Sequence, residues 1–144
     1  MTRVDFYILD EQSPQQRQDF ACRLIQKTAR LGHRIYVHCD SADEAHALDH
    51  SLWAFQPHSF IPHRLLQQDN SDNPIEIGYG DNPGSHHDLL INLSLTIPAF
   101  FSRFERVAEI VTQDAAVLDA TRTSYRFYAS KNYPLHRHDL RKNS

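Results

Sequence analysis

Glycine is scarce in this sequence: four residues, at positions 32, 78, 80 and 84. Loops that cradle phosphate need glycine so that backbone N–H groups can close around the anion. After the first β-rich run comes Leu9-Asp10-Glu11-Gln12-Ser13-Pro14, with two acids and no glycine. Neither GxGxxG nor a Walker A pattern occurs, which excludes the familiar nucleotide-binding loops. Cysteine is nearly absent as well. Cys22 and Cys39 are the only two, and no CxxC spacing exists for a zinc knuckle or a thioredoxin-type motif. Both are expected to be reduced, buried thiols. No apolar run reaches the roughly 18–20 residues that span a bilayer, and the N-terminus lacks a signal-peptide pattern. A cytoplasmic protein with no membrane contact is expected.

An excess of positive charge is also missing. The net charge is −3, which disfavours broad electrostatic binding to DNA. From Ala115 onward, six Lys/Arg and two acids give +4, leaving −7 for the rest. That polarity suits an acidic ligand bound near the C-terminal end better than a duplex laid across a face.

What is present alternates between strand and helix. Arg3–Leu9 reads as a strand, and Ser13-Pro14 as an N-cap with proline at the first helical position. Phe20, Ala21, Leu24, Ile25 and Thr28 follow at helical spacing, and Gly32 supplies a left-handed cap. Arg34–Cys39 is a second strand, so the opening β–α–β unit predicts a parallel pair. Ser41 to Glu44 forms a capping box for a helix that carries Ala45, Leu48 and Leu52 inward and ends near Phe55. Residues 56–63, with two prolines, cannot be a long regular element. Residues 67–73 read as a polar loop. Ile75–Tyr79 and Leu89–Leu93 are strand candidates separated by an Asn82-Pro83-Gly84 turn. Pro98–Phe104 reads as a short helix. Glu105–Val111 reads as a strand with helical spacing also open. Asp114 starts a last helix with Leu118, Thr121, Tyr125 and Tyr128 on one side, ended by Pro134. The expected architecture is a three-layer α/β Rossmann-like sheet domain over residues 1–133, without a nucleotide-binding loop. Residues 134–144 are expected to be a loose, polar, basic tail.

Candidate catalytic groups are few. His46 and His50 stand one helical turn apart, a spacing that suits zinc, but solvent exposure explains them equally and no third ligand is spaced to join them. His86 and His87 lie in a turn. No GxSxG elbow is present. Asp88 and Asp114 stand at element boundaries, where capping accounts for them. No cofactor is implied.

Two segments stand out. Leu52 to His63 holds the only tryptophan, Trp53, with two phenylalanines and two prolines. These aromatics either form a satellite core over the sheet edge or anchor a protein partner. In the last helix, Arg122 and Arg126 are one turn apart with Tyr125 between them. Such a set can hold a carboxylate beside an apolar group, unless Asp119 pairs with Arg122 or Arg126 on a merely solvated face.

The strand VDFYILD, the block LDHSLWAFQPHSFIPH, the strand HHDLLINLS and the helix segment Arg-Thr-Ser-Tyr-Arg-Phe-Tyr together resemble the chi subunit family of the DNA polymerase III clamp-loader assembly. The resemblance runs in order over about 130 residues and is most specific in the Leu-Trp…Ser-Phe-Ile-Pro-His block. It implies a Rossmann-like fold without a cofactor, and a non-catalytic accessory role in DNA replication that meets DNA only indirectly. It implies that Trp53, Phe60, Ile61 and Pro62 join the psi subunit, or alternatively an XPD-like helicase. It also implies that Val111, Arg122, Tyr125 and Arg126 grip the acidic, phenylalanine-terminated C-terminal tail of single-stranded DNA-binding protein. One departure concerns charge. Where the pattern can carry a lysine one turn before the arginine, this chain has Leu118, and His136, Arg137 and Arg141 are the available replacements. A small α/β enzyme or metal-dependent hydrolase with an unrecognised site is the alternative from another class. Direct DNA binding is disfavoured by charge.

Overall fold

The computed structural model describes residues 1–54, 63–65, 74–81 and 83–141. The elements are β1 (Arg3–Ile8), α1 (Pro14–Arg30), β2 (Ile35–His38), α2 (Ala42–Ala54), β3 (His63–Leu65), β4 (Ile75–Gly78), β5 (Leu89–Asn92), a 3-10 turn (Phe101–Arg103), β6 (Arg106–Val111), α3 (Ala115–Ser130) and β7 (Leu135–Asp139). The strands form one seven-stranded sheet in the order β3-β4-β2-β5-β6-β1-β7. Every pairing is parallel.

Parallel strands covered on both faces must be apolar on both, and β2, β4 and β5 are buried at every position. On one face, Leu24 and Ile25 of α1 and Leu48 and Leu52 of α2 pack on Ile35, Val37, Ile91 and Ile110. On the other, Val117 and Tyr128 of α3, with Phe101 and Phe104, pack on Phe6, Tyr36, Leu90 and Val107. The result is the expected three-layer α/β arrangement. On this second face the sheet is tightly filled at β4, where a Cβ on Gly78 would overlap the Tyr36 hydroxyl.

The helix ends follow their local sequence. Ser13 accepts from the Gln15 N–H. Asp114 accepts from the N–H groups of Ala116 and Val117. Asp88 accepts from the Arg34 N–H at 2.9 Å, so both boundary acids serve the backbone. Gly32 and Asn132 take positive φ values of 87° and 63° just past α1 and α3. In each case the next two N–H groups turn back onto the last helical carbonyls: Gly32 to Ala29 and His33 to Thr28, Asn132 to Ala129 and Tyr133 to Tyr128.

Several expectations need correction. β1 and β2 are parallel but not neighbours, because β5 and β6 insert between them. In the capping box, Ser41 accepts from the Glu44 N–H, but Glu44 reaches the N–H of Asp40 rather than that of Ser41. β3 lies where no strand was read. The segment 98–104 yields only one 3-10 turn, and 106–111 is strand rather than helix. The buried side of α3 is Val117, Ser124 and Tyr128, which leaves Leu118 and Tyr125 on its flank. Most consequentially, the segment read as a loose tail contains β7. It pairs with β1 from Val4↔Leu135 to Ile8↔Asp139. Its side chains are too polar to announce a strand, because only Leu135 and His138 are even partly covered.

Candidate functional site

Beside α3 the sheet is not fully covered, and a groove of about 520 Å³ opens between α3 and β7. Phe6, Ile8 and Val111 form its apolar floor. Leu118, Thr121, Arg122, Tyr125 and Arg126 form the α3 wall, and Arg137 and Arg141 stand opposite. The α3 residues reach one wall because positions 118, 122, 125 and 126 repeat at one-turn spacing. Arg137 reaches it because β7 places position 137 level with Phe6, on the same face.

Among the described residues, four arginines and no acid line the groove. The Tyr125 ring is 39% exposed and lies 5.3 Å from the Phe6 ring, so one face packs while the other borders the groove. Arg122 is held by Asp119, Nη1 to Oδ1 at 3.0 Å, on a well-exposed surface. Exposed helix pairs three or four residues apart contribute only about 0.2–0.5 kcal/mol, so an incoming carboxylate can displace Asp119. Arg141 makes a two-point contact with Asp139 at 2.9 and 2.6 Å, which lowers the Asp139 carboxyl to about 2. An apolar floor ringed by guanidinium groups can hold an aromatic or aliphatic side chain with a carboxylate beside it.

All four residues expected to grip an acidic tail, Val111, Arg122, Tyr125 and Arg126, line this one groove. Arg137 and Arg141, read as replacement charge on a loose tail, are held in it by the sheet. Leu118, standing where the family pattern can carry a lysine, extends the apolar wall. The Trp53 side chain, Phe60, Ile61 and Pro62 lie outside the described residues.

A second hollow of about 250 Å³ lies at the C-terminal ends of the strands, where doubly wound proteins hold nucleotides. Asp40, Glu44 and Asp114 line it. The adjacent helix N-termini are already capped by Ser13, Ser41 and Asp114. Arg17 spends its guanidinium on the carbonyls of Leu93 (2.8 Å) and Ile110 (3.0 Å). Its donor chemistry does not fit a phosphate. His46 and His50 are exposed on α2. Among the described residues no three His, Cys, Asp or Glu side chains are grouped to hold a metal. Burial pushes the Cys22 thiol up to about 11 and that of Cys39 up to about 12, the opposite of a nucleophile's tuning. Among the described residues no helix is long and apolar enough to cross a membrane.

Glu109 and His86 enter buried polar arrangements that the sequence does not announce. Glu109 of β6 accepts from Tyr128 Oη at 2.8 Å and from Asn92 Nδ2 at 3.1 Å. His86, expected in a turn, is buried against Glu76 with Nε2 3.0 Å from Oε1. Neither follows a sequence spacing: one joins β5, β6 and α3, and the other joins β4 to the loop that follows it.

The family profile described as "DNA polymerase III chi subunit, HolC" matches residues 1–136. Curated relatives named DNA polymerase III subunit chi are similar over most of their length. The one from Pseudomonas aeruginosa is 44% identical over 97% of this chain and 98% of its own. The one from Haemophilus influenzae is 33% identical over 85% and 87%. The one from Escherichia coli is 26% identical over 94% and 96%. Among solved structures, T4 UvsW is similar in fold alone, with a TM-score of 0.69 at 8% identity, covering 97% of this chain and 42% of that one. A profile matched over nearly the whole chain, with relatives of matching length, shows that this chain belongs to the DNA polymerase III chi subunit family.

Proposed function

We propose that the chain is a non-catalytic accessory subunit that links the clamp loader to single-stranded DNA-binding protein during replication. The groove between α3 and β7 binds the acidic, phenylalanine-terminated tail of the latter. The surface around Trp53, Phe60, Ile61 and Pro62 joins psi, or in its place an XPD-like helicase. One observation carries the tail reading: an apolar floor and four arginines meet in the groove that also holds Val111 and Tyr125. A C-terminal phenylalanine offers an aromatic ring and an α-carboxylate a few ångströms apart, with acids upstream. Arg122 takes the carboxylate, Phe6, Val111 and Tyr125 take the ring, and Arg126 attracts the upstream acids.

Fluorescence anisotropy with a labelled peptide ending in Asp-Ile-Pro-Phe tests this directly. Arg122→Ala should cost about 2 kcal/mol, because a charge-assisted contact is lost. Arg126→Ala should cost less, and deleting the terminal phenylalanine should abolish binding. Equal affinity of wild type and Arg122→Ala would overturn the assignment.

A further inference from the structure

β7 ends the sheet, and among the described residues no strand pairs with its outer side. The hydrogen bonds at its two ends identify which backbone groups face outward. The Val4 N–H donates to Pro134 O at 2.9 Å, and the Leu140 N–H donates to Ile8 O at 2.8 Å. In a parallel ladder alternate residues of a strand bond to the same neighbour. His136 and His138 therefore bond to β1, and Leu135, Arg137 and Asp139 turn their N–H and C=O groups away from the sheet. The side chain of Arg137 meanwhile enters the α3–β7 groove. The open edge and the arginine-lined groove are thus one continuous surface. Edge strands left open in a monomer template pairing with another chain. Here the charge around that edge selects which chain.

We propose that the outer edge of β7 receives an extended acidic peptide as an eighth strand, continuous with the groove. The inference rests on the reading of the groove as an acidic-tail site and adds a second contact to it. The peptide's terminal side chain and carboxylate occupy the groove. Its upstream residues run along β7, their backbone bonding to Leu135, Arg137 and Asp139. Arg126 and Arg137 lie over their acidic side chains. Main-chain bonding makes the upstream requirement one of charge and extended shape rather than of exact sequence.

The test uses the full chain and the peptide ending in Asp-Ile-Pro-Phe with its acidic residues upstream. Arg137→Ala removes the charge alone. Arg137→Pro removes the charge and the outward N–H, while leaving the bonds of His136 and His138 to β1 intact, a position where an edge strand tolerates proline. Arg137→Ala should weaken binding about threefold, and Arg137→Pro roughly tenfold further. Protected His136 and His138 amides in both variants verify that β7 remains formed. In the wild type, hydrogen exchange at the Leu135, Arg137 and Asp139 amides should slow when peptide is added. Equal binding by the two variants with no such protection overturns the strand addition, while wild-type binding keeps the groove assignment alive. Absence of wild-type binding overturns both. Concentration-dependent protection without peptide assigns the edge to a second copy of this chain and also overturns the proposal.

Discussion

Glu109 stands inside the sheet's α3 face with Asn92 on one side and the Tyr128 hydroxyl on the other. Burial pushes its carboxyl up from an ordinary 4.5 to about 7, against the opposing pull of its two hydrogen bonds and the Arg17 charge. A carboxyl whose folded value is raised is better protonated in the native state. Its contribution is therefore whole below about 4.5 and is lost as pH rises toward 7, on the order of 3 kcal/mol across that window. Glu109→Gln cannot ionise. Its melting temperature relative to wild type should rise from pH 5 to about pH 7 and level off above that, measured by thermal unfolding at matched ionic strength. A flat difference would show that Glu109 stays neutral throughout or that water reaches it. Sequence alone offered no sign of this. A glutamate in the run Arg-Val-Ala-Glu-Ile-Val looks like an ordinary outward residue of a half-exposed strand, and becomes buried only because β6 has neighbours and layers on every side.

At the scale of the element, β7 is held less by its own apolar content than by a polar latch. The buried Asp5 carboxylate accepts from Arg3 Nη2 at 3.0 Å and contacts His138 Nε2 at 2.8 Å, with Arg106 on its other oxygen. His138 also stacks on Tyr7 with ring centroids 4.6 Å apart. Burial alone would raise the Asp5 carboxyl, but the contacts with His138, Arg106 and Arg3 outweigh it and leave it below its ordinary 3.8. The latch is therefore complete above that value and fails as pH falls through the lowered one. His138→Ala removes one contact and the stacked ring. Because the partners are partly exposed, the cost should be modest, about 1 kcal/mol. Amide exchange should accelerate along β7 more than in β2 or β5. Affinity for an acidic peptide should fall as well, since Arg137 loses its fixed place across from Arg126. Unchanged exchange in β7 would show that the β1 ladder alone secures the strand.

For the molecule as a whole, charge is the organising quantity. A chain of net charge −3 concentrates +4 after Ala115, and the fold gathers Arg122, Arg126, Arg137 and Arg141 around one groove. Attraction of an acidic tail should then depend strongly on salt. Raising ionic strength from about 50 to about 300 mM shortens the screening length from roughly 14 Å to under 6 Å. Peptide binding should weaken over that range, and the dependence should be shallower for Arg126→Ala and for the double variant Arg126→Ala, Arg137→Ala. Identical salt slopes in all three would mean that the arginines act only by contact and not by their field.

The alternation of apolar runs, proline at the start of α1, Gly32 past its end and Asp114 before α3 determined by themselves the three helices, the strands β1, β2, β4 and β5, and the layer class. These signals are local: a cap, a turn or a helical repeat is a relation between residues a few positions apart. The resemblance to chi proteins likewise selected Val111, Arg122, Tyr125 and Arg126 from the chain. Tertiary structure alone decided that β5 and β6 separate β1 from β2, that a polar run after Pro134 is a strand, and that Arg137 and Arg141 face the α3 arginines. Each of these depends on which strands lie side by side. Parallel neighbours are joined by long crossovers, and an edge strand held by Asp5, 133 residues away from His138, carries no apolar alternation to reveal it.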